Sequence, residues 1–90
     1  MDQPTKQLID FPTMFLIKAM GHANPELRHE VVAIVNKHSA TKLQDHNVTL
    51  KESSKGNYVS ITVNVHATSQ EQLDKIYTDL HAHHLIKMTL

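Results

Sequence analysis

Ninety residues with nine Lys plus Arg against nine Asp plus Glu make one domain of zero formal charge, with no bulk field toward nucleic acid or anionic lipid. Cysteine is absent, which removes disulfides, thiolate chemistry and Cys-based zinc sites together. Apolar residues are 40% and charged residues 20% of the chain, the composition of a folded domain and not of a disordered one.

Residues 1–7 read as a flexible polar tail ahead of a single domain over 8–90. Neither a signal-peptide apolar segment nor a run of ~20 apolar residues for a membrane span occurs, so a soluble, cytoplasmic protein is expected. Leu8, Ile9 and Phe11 before Pro12 suggest a short extended segment laid on the domain edge. From Thr13 to Met20 the chain alternates as a strand, with Phe15, Ile17 and Ala19 on one face and Met14, Leu16, Lys18 and Met20 on the other, and Gly21 ending it. Asn24 before Pro25 is a helix start: the Asn side chain accepts first-turn amides, and proline gives up only an amide that had no partner. Leu27, Val31, Ile34, Val35 and His38 follow at helical spacing, to about Lys37 or His38.

Ser39 to His46 is a polar loop with Thr41 and Leu43 as possible anchors. Val48 and Leu50 then alternate with Thr49 and Lys51 as a second strand. Ser53-Ser54-Lys55-Gly56-Asn57 predicts the turn of a hairpin, with Gly56 free to take a positive φ. Beyond it lies the clearest strand, with Val59, Ile61, Val63 and Val65 facing one way and Tyr58, Ser60, Thr62, Asn64 and His66 the other. Thr68 with Glu71, or Ser69 with Gln72, has capping-box spacing. Leu73, Ile76, Tyr77 and Leu80 form the stripe of a second helix, fraying across His81 to His84. Ile86, Met88 and Leu90 predict a fourth strand with its apolar side to the core and Lys87 and Thr89 on the reverse.

The order strand, helix, strand, strand, helix, strand predicts an α+β, ferredoxin-like split βαβ domain: a four-stranded antiparallel sheet with two helices on one face. Its open face would carry Lys18, Lys51, Lys87 and Tyr58 among Leu16, Met20, Thr49, Ser60, Thr62, Asn64 and Thr89, with no acidic residue. Such a face suits a protein partner, a second copy of the chain as a homodimer, or a small anionic ligand. Single-stranded RNA is disfavoured although the RNA-recognition module shares this topology, because Tyr58 alone makes a poor stacking platform.

No catalytic residue is identified. The serines sit in turns, caps and strands outside any G-x-S-x-G elbow, and no carboxylate pair flanks an apolar cleft. The eight histidines show no H-E-x-x-H spacing, and His81, His83 and His84 should diverge around a helix end, so neither a metal site nor a cofactor is expected. Ser53, Ser54, Lys55, Gly56 and Asn57 are candidates for an anion-holding backbone nest. Their turn joins two strands and so is no P-loop.

Asp10-Phe11-Pro12-Thr13, Lys18-Ala19-Met20-Gly21, Pro25-Glu26-Leu27, the run Ser53 to Tyr58 with the strand Ser60 to Thr68, and Met88 to Leu90 together resemble the YbeD-like family of small bacterial proteins. The resemblance spans nearly the whole chain from Leu8, and the serine-rich turn is its most specific part. It implies a ferredoxin-like fold similar to ACT-type regulatory domains, which bind small effectors, often amino acids, between paired domains. It also implies a regulatory role connected with lipoate metabolism. The chain departs from the ACT pattern in lacking a glycine-rich loop after the first strand, where only Gly21 precedes His22, Ala23 and Asn24.

Overall fold

The structure, a computed structural model, describes residues 9–90; the tail expected at 1–7, and Leu8 of the expected edge segment, lie outside the described residues. Phe11, next to a cis bond to Pro12, packs against the core. Strand β1 (Thr13–His22), helix α1 (Leu27–Lys37), strands β2 (Val48–Glu52) and β3 (Tyr58–Ala67), helix α2 (Gln70–Ala82) and strand β4 (Met88–Thr89) follow in chain order, with a 3-10 turn at Asp45–Asn47. The strands form one antiparallel sheet in the order β2-β3-β1-β4. This is the split βαβ, ferredoxin-like arrangement.

Register decides which side chains reach the core. Phe15 pairs with Val65, Ile17 with Val63 and Ala19 with Ile61, so the apolar sets of the two central strands share one side of the sheet. Val31 and Val35 of α1, and Leu73, Ile76 and Leu80 of α2, close over them, all essentially fully buried. Each such side chain contributes about 1.5–3 kcal/mol of burial. The even-numbered residues of β1 and β3 lie on the other side, uncovered.

Helix α2 starts as its capping chemistry predicts, whereas Asn24 makes a turn ahead of α1, whose N-cap is Glu26 with no side-chain cap bond. Asn24 Oδ1 accepts the Glu26 amide at 2.8 Å and the Asn24 carbonyl accepts the Leu27 amide at 3.0 Å. Of the two possible caps for α2, Ser69 is the one used: its Oγ accepts the Gln72 amide at 3.0 Å. The Gln72 side chain turns back to accept the Thr68 amide at 2.7 Å, and its Nε2 donates to Ser39 Oγ at 3.2 Å. Ser39 donates in turn to the Val35 carbonyl at 2.7 Å, so a buried polar chain joins the end of α1 to the start of α2. Gln72→Ala is expected to cost about 1–3 kcal/mol in urea unfolding, because the part-buried Thr68 amide loses its acceptor.

Three expectations are corrected. Gly21 does not end β1; it pairs with Val59 inside the strand, which continues to His22. Helix α1 begins at Leu27 and not at Pro25, while α2 ends at Ala82, inside the His81 to His84 stretch expected to fray, with His83 as its extended C-cap. The largest correction concerns β4. Met88 pairs with Met20, and Leu90 exchanges backbone hydrogen bonds with Lys18, while Thr89 pairs with Ala19. Met88 and Leu90 therefore lie on the open side, 52% and 67% exposed, and Thr89 on the covered side beside His81. Ile86 is buried as expected, but only two residues of β4 pair as a strand, so alternation counted from Ile86 assigns the wrong face.

Candidate functional site

The two sides of the sheet offer different chemistry. On the covered side, two histidine–carboxylate pairs tie the helices together. His38 at the end of α1 donates from Nε2 to Asp79 Oδ2 of α2 at 2.7 Å, and His83 donates from Nε2 to Glu30 Oε1 of α1 at 3.1 Å. His83 Nδ1 accepts the Leu85 amide at 3.1 Å, which assigns the ring proton to Nε2. The groove between these pairs, about 330 Å³, is floored by Ala33, Ile34 and Ala82. Of the clustered histidines only His81 turns away, to Thr89, whereas His84 stacks on His83, so the expected divergence holds for His81 alone. No group of three or more metal-binding side chains converges among the described residues.

The hydrogen bond from His38, helped by the nearby Lys37 ammonium at 3.6 Å, holds the Asp79 carboxyl below its ordinary value of 3.8. A depressed native value means that the unfolded chain binds the extra proton first. The stabilisation is therefore present above pH 3.8 and lost as pH falls through the depressed value. Thermal melts across that acid range should show Asp79→Asn losing the part of the acid slope that this carboxyl supplies.

A depression of about 400 Å³ lies where α1 ends and α2 begins, lined by Lys37, Ser39, Ser69, Gln72 and Lys75 among others. Its central polar groups already satisfy one another through the Ser39–Gln72–Ser69 chain, and Lys75 sits 3.5 Å from Glu71. Tyr77, whose hydroxyl donates to the Leu90 carbonyl at 3.2 Å, has its pKa raised by burial. These contacts hold the fold.

The open side is different. Met14, Leu16, Met88 and Leu90 stand half or more exposed along β1 and β4, with Leu16 at 64%. Across β3 from them the surface turns polar, through Thr62, Ser60, Thr49 and Lys51. Lys18 pairs with Thr62 from one side of β3 and Lys51 with Ser60 from the other, so the two lysines flank one strand diagonally, from backbones about 12 Å apart. Between them lies a depression of about 270 Å³ lined by Lys18, Lys51, Met20, Tyr58, Ser60 and Ser53. Its lining also includes Glu52 and Val59, which the ladder parity assigns to the other side of the sheet. No Asp or Glu among the described residues falls on the open side by register.

The structure thus brings Lys18, Lys51 and Tyr58 of the expected contact face together. Tyr58 packs against His22 with the rings tilted by 30° at 4.9 Å between centroids, a neighbour that alternation missed by ending β1 at Gly21. Lys87 stands apart from the depression; it precedes the paired part of β4, is exposed, and donates its amide to the Met20 carbonyl. Leu90 and Met88 are the contact-face residues that sequence reasoning missed, for want of the β4 register. Ser53, Ser54, Lys55, Gly56 and Asn57 form an exposed hairpin turn. There Gly56 has a φ of 74° and donates to the Ser53 carbonyl, while Ser53 Oγ accepts the Tyr58 amide. Gly21 offers no space for an effector, because the Leu85 carbonyl is packed directly over it.

An open-faced split βαβ domain of this kind, with an apolar and lysine-bearing sheet surface, defines the class. Residues 6–90 match the family described as "Protein of unknown function (DUF493)". The chain is 46% identical over 83 residues to a UPF0250 protein of Neisseria gonorrhoeae, covering 92% of this chain and 90% of the relative. It is 39% identical over 89 residues to a UPF0250 protein of Vibrio cholerae, covering 99% and 94%, and 38% identical to one of Vibrio parahaemolyticus over the same shares. The chain belongs to this DUF493, or UPF0250, family of small bacterial proteins, the YbeD-like group that its sequence resembles. Among the described residues no helix is long and apolar enough to cross a membrane.

Proposed function

We propose that this chain is a non-catalytic interaction or regulatory domain that works by presenting its open sheet face to another protein. The observation that carries the reading is the uncovered band of Leu16, Met88 and Leu90 beside Lys18 and Lys51. Apolar side chains left in water on one face of a small domain cost free energy that a partner recovers by covering them. The family resemblance supports reading this role as cytoplasmic regulation connected with lipoate metabolism, with homodimerisation as one form of it.

A photocrosslinking residue in place of Leu16, compared with one in place of the exposed Thr78 on α2, tests the reading in cells. A discrete adduct from the sheet position and none from the helix position is the expected result. Equal patterns, or no adduct from position 16, would overturn it, and an adduct of twice the chain mass would identify a second copy. The depression between Lys18 and Lys51 supports a second reading, the sensing of a small anionic metabolite or amino acid. Its check is a rise in melting temperature with lipoate, octanoate or amino acids at saturation.

A further inference from the structure

Resting on the contact-face reading, the geometry points to the chemistry of the occupant: a protein segment that carries carboxylates among apolar side chains, in preference to a second copy of this chain. Two features of the open face must be answered at once. Leu16, Met88 and Leu90 form an aliphatic band over β1 and β4, more than half exposed. Lys18 and Lys51 flank β3 beside it, around a depression that also offers the Tyr58 and Ser60 hydroxyls.

Each alternative occupant answers only one of them. A second copy docked face to face by a two-fold axis brings an identical surface, because such an interface is made of the same patch twice. It would cover the aliphatic band but set ammonium groups against ammonium groups, with Glu52 the one carboxylate in the lining of each depression to answer two lysines. Like charges closed into an interface oppose association, and complementary ones select the partner. A small anion would satisfy the lysines and leave the aliphatic band in water. A phosphate backbone likewise has no use for Leu16, Met88 and Leu90, and the face offers a single tyrosine for base stacking. Carboxylates spaced among Leu-like side chains meet both features, the acids reaching the Lys18–Lys51 depression and the apolar groups lying over β1 and β4.

The experiment pans a random-peptide phage library against the intact chain and measures the enriched peptides by fluorescence polarisation. The expected peptides carry Asp or Glu interspersed with Leu, Ile or Phe. Their Kd should rise by about tenfold or more for Lys18→Glu with Lys51→Glu, and similarly for Leu16→Ser, and should rise with added salt. Melting curves of the variants, expected to match the parent because these side chains lie off the core, separate lost binding from lost folding.

Enriched peptides that are neutral or basic, or that bind the charge-reversed variant equally well, overturn the assigned chemistry while leaving the contact-face reading in place. So does a dimer in sedimentation that forms through this face and does not weaken in either variant, or an oligouridylate probe that displaces the peptides with equal affinity. An absence of enriched peptides overturns the inference alone if the Leu16 crosslink forms, and both readings fall if it does not.

Discussion

Gly21→Ala is expected to lower stability by about 3 kcal/mol, the upper part of the range for overpacking, and to lower the melting temperature by roughly 12–24 °C for a domain of this size. The cause is not backbone conformation, since the positive φ belongs to Gly56. A Cβ on Gly21 would overlap the carbonyl oxygen of Leu85 and press its carbon at 3.3 Å, with Leu27 Cδ2 in ordinary contact at 3.5 Å. A flexible side chain could swing away; a backbone carbonyl moves only with its neighbours. Leu85 lies in the connection where the His83 carbonyl accepts the Ile86 amide and His83 pairs with Glu30, so displacing it loosens β4, the buried Ile86 and one interhelical bond together. Gly56→Ala is the control with the opposite cause: nothing lies within 4 Å of an added Cβ there, and only the φ of 74° penalises it, about 1–2 kcal/mol. Chemical unfolding that gave both variants equal small losses would refute the close-approach account of Gly21.

Ile61→Ala should cost about 3–4 kcal/mol, from lost transfer free energy and the cavity left behind. Ile61 is fully buried at the centre of the sheet, paired with Ala19 of β1 on one side and Leu50 of β2 on the other. Leu50 shares its row and its side of the sheet, yet is 48% exposed, because β2 is an edge strand. Leu50→Ala should therefore cost only about 1 kcal/mol, as about half of its apolar surface is in water already. Both values follow from urea midpoints at unchanged slope. Comparable losses from the two variants would mean that the helices cover β2 far more completely than the structure describes.

Much of the covered side was legible before any coordinates. The alternation in β1 and β3 is long and strict, and with period two it assigns every side chain to one of two faces once a single residue is placed. The stripe Leu27, Val31, Val35 and the stripe Leu73, Ile76, Leu80 then have only that apolar surface to pack on. Ser69 acts as a helix cap through a bond to the amide three residues away, and Asn24 holds the turn that leads into α1 through the amide two residues away, distances over which sequence reasoning works. Lys18, Lys51 and Tyr58 were placed on the open side by the same parity, and the ladders bear that out.

What lay beyond reach depended on residues far apart in the chain. His38 and Asp79 are 41 positions apart and Glu30 and His83 are 53; the stripe of α1 marks His38, but nothing local names its partner or distinguishes His83 from the exposed histidines. The face of β4 was likewise undetermined, since two paired residues carry too short a pattern to outvote a bend. Ile86 enters the core from the connection that docks over Gly21, and the ladder that follows is set by Met20 meeting Met88. By itself the sequence determined the two helices, the two long central strands, their caps and the acid-free, lysine-bearing side of the sheet, because those depend on local periodicity and local hydrogen bonding. Only the tertiary structure decided that Met88 and Leu90 join that open side and turn a polar, lysine-bearing surface into an apolar one with charged flanks, because the docking of the last connection, and not alternation, sets the register of an edge strand that short.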